Sequence, residues 1–264
     1  MGLEAILRGW VSRTLPQAES DNDPGAVRLG RYGDIYTVGA VRKQHALADE
    51  GSYFVANNAQ TGIATGTTAS FTTTAPFIII ANTDSPTNTN AKRIHLDYVN
   101  LITTVAGTAA STAARIAAAL VIDTGNRYSS GGTELSNLIV NPNMDVGTRA
   151  SIAKVYCGAL TATAATASAR TVVGQRTLRL TVSATVLDVI DDTKYLNFGA
   201  VESPASAILM QSAAGVQVNA LSQQYAMPPV IVGPGQSILL YIFWPGTTTP
   251  AASSYLPELG WWER

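Results

Sequence analysis

The chain predicts an all-β fold: an antiparallel β-sandwich preceded by an extended N-terminal arm that carries a short amphipathic helix. Three observations carry that prediction. Short β-branched and aromatic runs recur through the 264 residues, separated by turns rich in Gly, Pro and Asn. Clear helical periodicity is confined to the first residues. Charged residues make up only 13% of the chain, and Thr, Ser, Asn and Gln supply the polarity that holds mean hydropathy at +0.14. Sandwiches and barrels reach about 200–250 residues undivided, so one large domain with an appendage is expected. The division read from the sequence is an arm over 1–50 and a β body over 51–264.

In the arm, Leu3, Ile6, Leu7, Trp10 and Val11 recur at i, i+3, i+4, i+7 and i+8, the apolar stripe of a helix that ends before Pro16. One helix cannot bury its own stripe, so it docks either on its own domain or on a partner. Residues 17–24 are acidic and polar, and Asp23-Pro24-Gly25 is a turn signal, which marks a linker. Basic residues then concentrate at Arg28, Arg31, Arg42 and Lys43, with Tyr32 and Tyr36 among them. Such a stretch has too little core to fold alone. It is suited to gripping another protein through Leu3, Ile6, Leu7, Trp10, Arg28, Arg31, Tyr32, Tyr36, Arg42 and Lys43.

The body is organised around Met227 to Gly246. Val230 to Val232 and Ile238 to Trp244 are uncharged β-formers on either side of Gly233-Pro234-Gly235, which predicts a short buried hairpin trimmed by Pro228, Pro229 and Pro245. Taken in order, Tyr53-Phe54-Val55 opens the β character, and Pro76 to Asn82 is a compact apolar strand. Ile94 to Thr103 alternates with one polar face at first and is open to burial on both faces later. Arg115 to Asp123 is read as a strand, although Ala113 to Leu120 alone also fits a helix. Residues 124–133 read as an exposed loop, Leu135 to Val140 and Ile152 to Leu160 as strands, and residues 177–184 as a half-exposed strand. Ile208 to Val218 is one more. Trp261 and Trp262, beside Leu256 and Leu259, are expected to be packed. The Pro-rich strand, Gly-Pro-Gly-Gln turn and long apolar strand resemble the last two strands of jelly rolls, so the body is expected to be jelly-roll-like.

The residues that carry chemistry are few. Seventeen basic against eighteen acidic residues leave a formal charge of −1, which gives no broad footprint for nucleic acid or an anionic membrane. No run approaches the roughly 20 apolar residues of a membrane-spanning helix, and the first residues lack a secretory leader's apolar region, so a soluble protein made without export is expected. Cys157 is the only cysteine; an intrachain disulfide is excluded, and a small buried hydrophobe is the expected role. Ala119-Leu120-Val121-Ile122-Asp123-Thr124-Gly125 resembles the active-site signature of aspartic proteases. No second copy exists to share the proton, and Asn126 stands where a small Ser, Thr or Ala is usual. His45 and His95 have no metal-ligand spacing, His95 and Asp97 read as a solvated pair, and Asp188, Asp191 and Asp192 read as a turn. No catalytic residue, cofactor or metal is predicted.

One stretch carries a family likeness: Arg31-Tyr32-Gly33-Asp34-Ile35-Tyr36, then His45-Ala46-Leu47-Ala48-Asp49-Glu50-Gly51-Ser52-Tyr53-Phe54-Val55. With the Ala/Thr/Gly-rich β body behind it, this resembles structural proteins of tailed bacteriophages, especially capsid decoration or cement proteins. The resemblance implies a non-enzymatic virion protein on the outer capsid surface, assembled in the host cytoplasm. It also implies a homo-oligomer, with a trimer favoured, and the major capsid protein of the same virion as partner. The alternative is a tail-associated adhesin or carbohydrate-binding module in which Tyr128 or Trp244 stacks on sugars.

Overall fold

In the computed structural model, the β-branched and aromatic runs form two large sheets that face each other across one core. The structure describes residues 43–58, 61–105, 114–143, 150–181, 193–199, 210–211, 217–218, 222–245 and 252–264. Among the described residues, the helix α1 (Lys43–Asp49) precedes β1 (Tyr53–Asn57), β2 (Ile63–Ala64), β3 (Ile78–Asn82), β4 (Ile94–Val105), β5 (Ala114–Asp123), β6 (Tyr128–Glu134), β7 (Ile139–Val140) and β8 (Ala153–Ala162). The order continues with β9 (Arg170–Thr181), β10 (Thr193–Phe198), β11 (Met210–Gln211), β12 (Gln217–Val218), β13 (Ser222–Met227), β14 (Val230–Val232), β15 (Ser237–Phe243) and β16 (Ser254–Glu263).

The first sheet runs β13-β10-β4-β16-β1-β7, with β14 extending the row beside β4 and β2 beside β16. Its pairs are antiparallel except β10 with β13. The second runs β6-β8-β3-β15-β5-β9 and is antiparallel throughout. Phe54, Leu96, Leu259 and Trp261 from the first sheet meet Ile78, Ile80, Leu120 and Leu240 from the second in the shared core. A smaller cluster lies on the other face of the second sheet, where Ile79, Val121, Leu239 and Tyr241 are buried. Phe71, from the segment before β3, lies edge-on to Tyr241 and Phe243 there. β3 and β15 are therefore buried on both faces, which is why their sequences are apolar without alternation.

The expected sandwich is present, and three local expectations are corrected. Val230 to Trp244 is not a hairpin: β14 pairs with β4 in one sheet and β15 with β3 and β5 in the other. Gly233-Pro234-Gly235 is a corner between layers, and Gly235 takes φ +73° there. Asn82 fastens that corner, donating to the carbonyls of Lys92 and Val232. Residues 128–134, expected as loop, form an edge strand whose side chains face solvent, so no apolar alternation marks it; Gly131 and Gly132 bulge it at positive φ. Leu135 to Val140 turns through a 3-10 segment at Ser136–Leu138 before the two-residue β7. Within Ile208 to Val218, the described residues Met210–Gln211 and Gln217–Val218 form the antiparallel pair of β11 and β12.

The tail becomes a central strand, β16, between β4 and β1. Pro257 is tolerated there because its nitrogen faces the gap where β1 ends and β2 has not begun; its carbonyl accepts from Asn58 N–H on that side. Glu263 at its end accepts from Ser151 Oγ (2.5 Å), the Ile152 N–H and Trp261 Nε1, tying the last strand to the entry of β8. Residues 43–49, the last part of the stretch read from the sequence as the arm, are helical, and Ser52 closes α1 by donating from N and Oγ to the Leu47 carbonyl.

Candidate functional site

The outward face of the first sheet collects aromatic and acidic side chains that the sequence separates by up to two hundred residues. A β-bulge makes this possible. β4 pairs Leu96 with Trp261 and Tyr98 with Gly260, leaving Asp97 as the extra residue. Simple alternation would send Tyr98 and Asn100 inward with Leu96. The bulge reverses the phase, so Val99, Leu101 and Thr103 are buried while Tyr98, Asn100 and Ile102 turn outward.

Gly260 provides the room. A side chain there would begin 2.6 Å from the Tyr53 hydroxyl and collide with the Tyr98 ring, so the two tyrosines converge over a bare backbone. Tyr53 donates to Asp97 Oδ2 at 2.8 Å, and Tyr98 donates to Glu258 Oε1 at 2.5 Å. Tyr195 on β10 stacks on Tyr98 with centroids 5.3 Å apart and planes 18° from parallel. His95 and Trp262 form a second stack, 5.3 Å apart and 9° from parallel. Burial first, and then the carboxylate hydrogen bonds, push the Tyr53 and Tyr98 hydroxyls well above the ordinary tyrosine range. Burial and the charges of Asp97 and Glu258 raise Tyr195 as well.

The consequence is a surface with a direction of hydrogen bonding. The hydroxyls of Tyr53 and Tyr98 stay protonated and are spent on the two carboxylates. The carbonyl oxygen of Asn100, which lies opposite Tyr195 and Glu258 in register, is buried and has no hydrogen-bond partner among the described residues. The face therefore carries two carboxylates, each engaged by a tyrosine hydroxyl, beside the stacked Tyr98 and Tyr195 rings. Tyr53 also lines a cleft of about 470 Å³ with Gln44, His45, Ala48, Asp49, Pro142 and Asn143 at the start of α1.

Of the sequence-predicted partner-binding residues, Leu3, Ile6, Leu7, Trp10, Arg28, Arg31, Tyr32, Tyr36 and Arg42 lie outside the described residues, and Lys43 is the first residue of α1. Asp188, Asp191 and Asp192 lie outside them too. Both oxygens of Asp123 are held in ion pairs. The residue is fully buried on the far sheet, with Arg127 Nε and Arg170 Nε each 2.7 Å from one of its oxygens and the Gly125 N–H at 3.0 Å. Arg170 extends this clamp to the carbonyls of Thr73 (2.5 Å) and Thr163 (2.9 Å), so the Asp-Thr-Gly turn is tied to two further loops. Trp244 is fully buried and cannot stack on a sugar; Tyr128 has its ring against Tyr156 at 3.6 Å. Cys157 is buried, and burial pushes its thiol up. Among the described residues, no three His, Cys, Asp or Glu side chains come together as metal ligands, and no helix is long and apolar enough to cross a membrane.

Sequence reasoning missed the face because its members sit on β1, β4, β10 and β16, and nothing local announces that these strands are neighbours. His95 beside Asp97 was the one visible fragment. Comparison of the chain with protein-family models, with curated proteins and with solved structures finds no match.

Proposed function

We propose that this chain is a non-enzymatic structural protein of a tailed-phage virion, a capsid decoration or cement protein that binds and stabilises neighbouring capsid subunits. The observation that carries the reading is the division between body and arm. The described core runs from Phe54 to Trp261, and Ser52 closes α1 ahead of it, while residues 1–42 hold the apolar stripe and most of the Arg and Tyr cluster suited to gripping a partner. The body self-associates as a homo-oligomer, a trimer being favoured, and the arm adds buried contact across the joints of the shell. Individually weak contacts then become avid through repetition. The clamped state of Asp123 supports a structural use of the most enzyme-like motif in the chain.

The test is co-sedimentation with shells of the major capsid protein of the same virion, for the full chain and for a variant lacking residues 1–42. The variant stops short of α1 so that the Leu47 contacts remain. The full chain is expected to sediment with the shells, and the shortened chain to keep its melting temperature while remaining in the supernatant. Shell binding that survives the deletion removes the arm from the mechanism, and a full chain that never sediments overturns the decoration role.

A further inference from the structure

Charges on the outward face of the first sheet are sorted by sign along the strands. Where β4 begins and β16 ends, Arg93 and Arg264 exchange both backbone hydrogen bonds, at 2.7 and 3.1 Å, so the two residues stand directly opposite each other. Their neighbours Ile94 and Glu263 are buried, and alternation turns both exposed arginines to the side of His95 and Trp262. Like charges set opposite each other in a ladder are destabilising. Further along the same face stand Asp97 and Glu258, half-buried beside the Tyr98–Tyr195 stack. Among the described residues the ion pairs belong to Asp123, so neither the two arginines nor these two carboxylates have an opposite charge at contact distance.

The two groups cannot satisfy each other within one chain. Arg93 and Asp97 are four residues apart, about 13 Å along the strand, and Arg264 and Glu258 are six apart, about 20 Å. A second copy carries the missing partner for each. A guanidinium fits a carboxylate as a planar fork and lies flat on tyrosine, and an ionised carboxylate that accepts one tyrosine hydroxyl has capacity for further donors. We propose that Arg93 and Arg264 of one copy dock on Asp97, Glu258 and the Tyr98–Tyr195 stack of the next. The giving and receiving patches differ, so the contact is head-to-tail and repeats until it closes as a ring. This ring rests on the proposed self-association of the body and supplies the contact of its trimer: each copy gives its arginines to one neighbour and receives those of the other.

Sedimentation equilibrium of the full chain over a concentration series, without shells, tests the contact. The unaltered chain is expected at three copies. Asp97→Asn with Glu258→Gln removes the negative charge and keeps an acceptor for each tyrosine, while Arg93→Gln with Arg264→Gln changes only exposed side chains. Each double variant is expected to associate about tenfold or more weakly, with an unchanged circular dichroism spectrum. Raising the salt concentration should weaken the unaltered chain and move the double variants less. Arg93→Glu with Arg264→Glu should abolish association, and Glu258→Lys added to that chain should restore part of it, which a merely structural role of these residues would not do. A trimer that persists in both neutral variants overturns this contact and leaves the self-association of the body standing. A monomeric unaltered chain overturns both. A mass of two copies overturns the ring, because the face then meets its own counterpart about a twofold axis.

Discussion

Asp123 illustrates how a residue's environment, and not its motif, sets its role. An apolar strand delivers it into Asp-Thr-Gly, yet both oxygens are held by guanidinium groups, one of them on the half-buried Arg127 and one on the nearly buried Arg170. Replacing it by Ala leaves two cations without their counter-charge at a closed site. The expected cost is about 3–5 kcal/mol, measured by urea denaturation. Tyr241 makes a second prediction, in pH. Burial, offset in part by the Arg170 charge, moves its hydroxyl from 10.0 to about 12. The folded state then holds a proton that the unfolded chain releases from about pH 10 upward, so this contribution is intact below pH 10 and is lost as pH rises toward 12. Tyrosinate absorbance near 295 nm, followed with circular dichroism, should show Tyr241 ionising late in the unaltered chain, and Tyr241→Phe should flatten the alkaline loss of stability.

At the scale of elements, the bulge in β4 and the glycine in β16 form one device. The extra residue at Asp97 turns Tyr98 outward, and Gly260 leaves the backbone bare so that Tyr98 and Tyr53 can lie across it, each reaching a carboxylate. Gly260→Val should displace both rings. A loss of about 1–3 kcal/mol is expected from overpacking, together with tyrosine titration moved back toward the ordinary range. Thermal denaturation and an absorbance titration on the same variant check the two halves separately. A stability loss without a change in titration would detach the glycine from the face. The corner at Gly233-Pro234-Gly235 follows similar logic: the residues announced a turn, while only the pairing partners of β14 and β15 made it a passage between sheets.

At the scale of the molecule, the proposed self-association of the body predicts a solution mass of three copies of the 27.6 kDa chain, and still three copies, each lighter, when residues 1–42 are removed. Light scattering measures it, and a monomer would place self-association outside the β body. The fold class was legible in the sequence because period-two patterning and turn chemistry are local: they fix which residues become strands and which end them. Pro76 to Asn82 was legible as a compact apolar strand, while its burial on both faces came from the layers packed against it. Other features were invisible for a common reason. The edge strand β6 has no buried face to pattern it, the bulge at Asp97 shifts phase without changing composition, and β16 gains its central place from partners far away in the chain. The sequence by itself thus determined an all-β sandwich, its principal strands and the burial of Cys157 and Trp261. The tertiary structure alone decided that Tyr53, Asp97, Tyr98, Asn100, Tyr195 and Glu258 share one face, because strand adjacency and register are set by long-range pairing, and no window of sequence contains both partners.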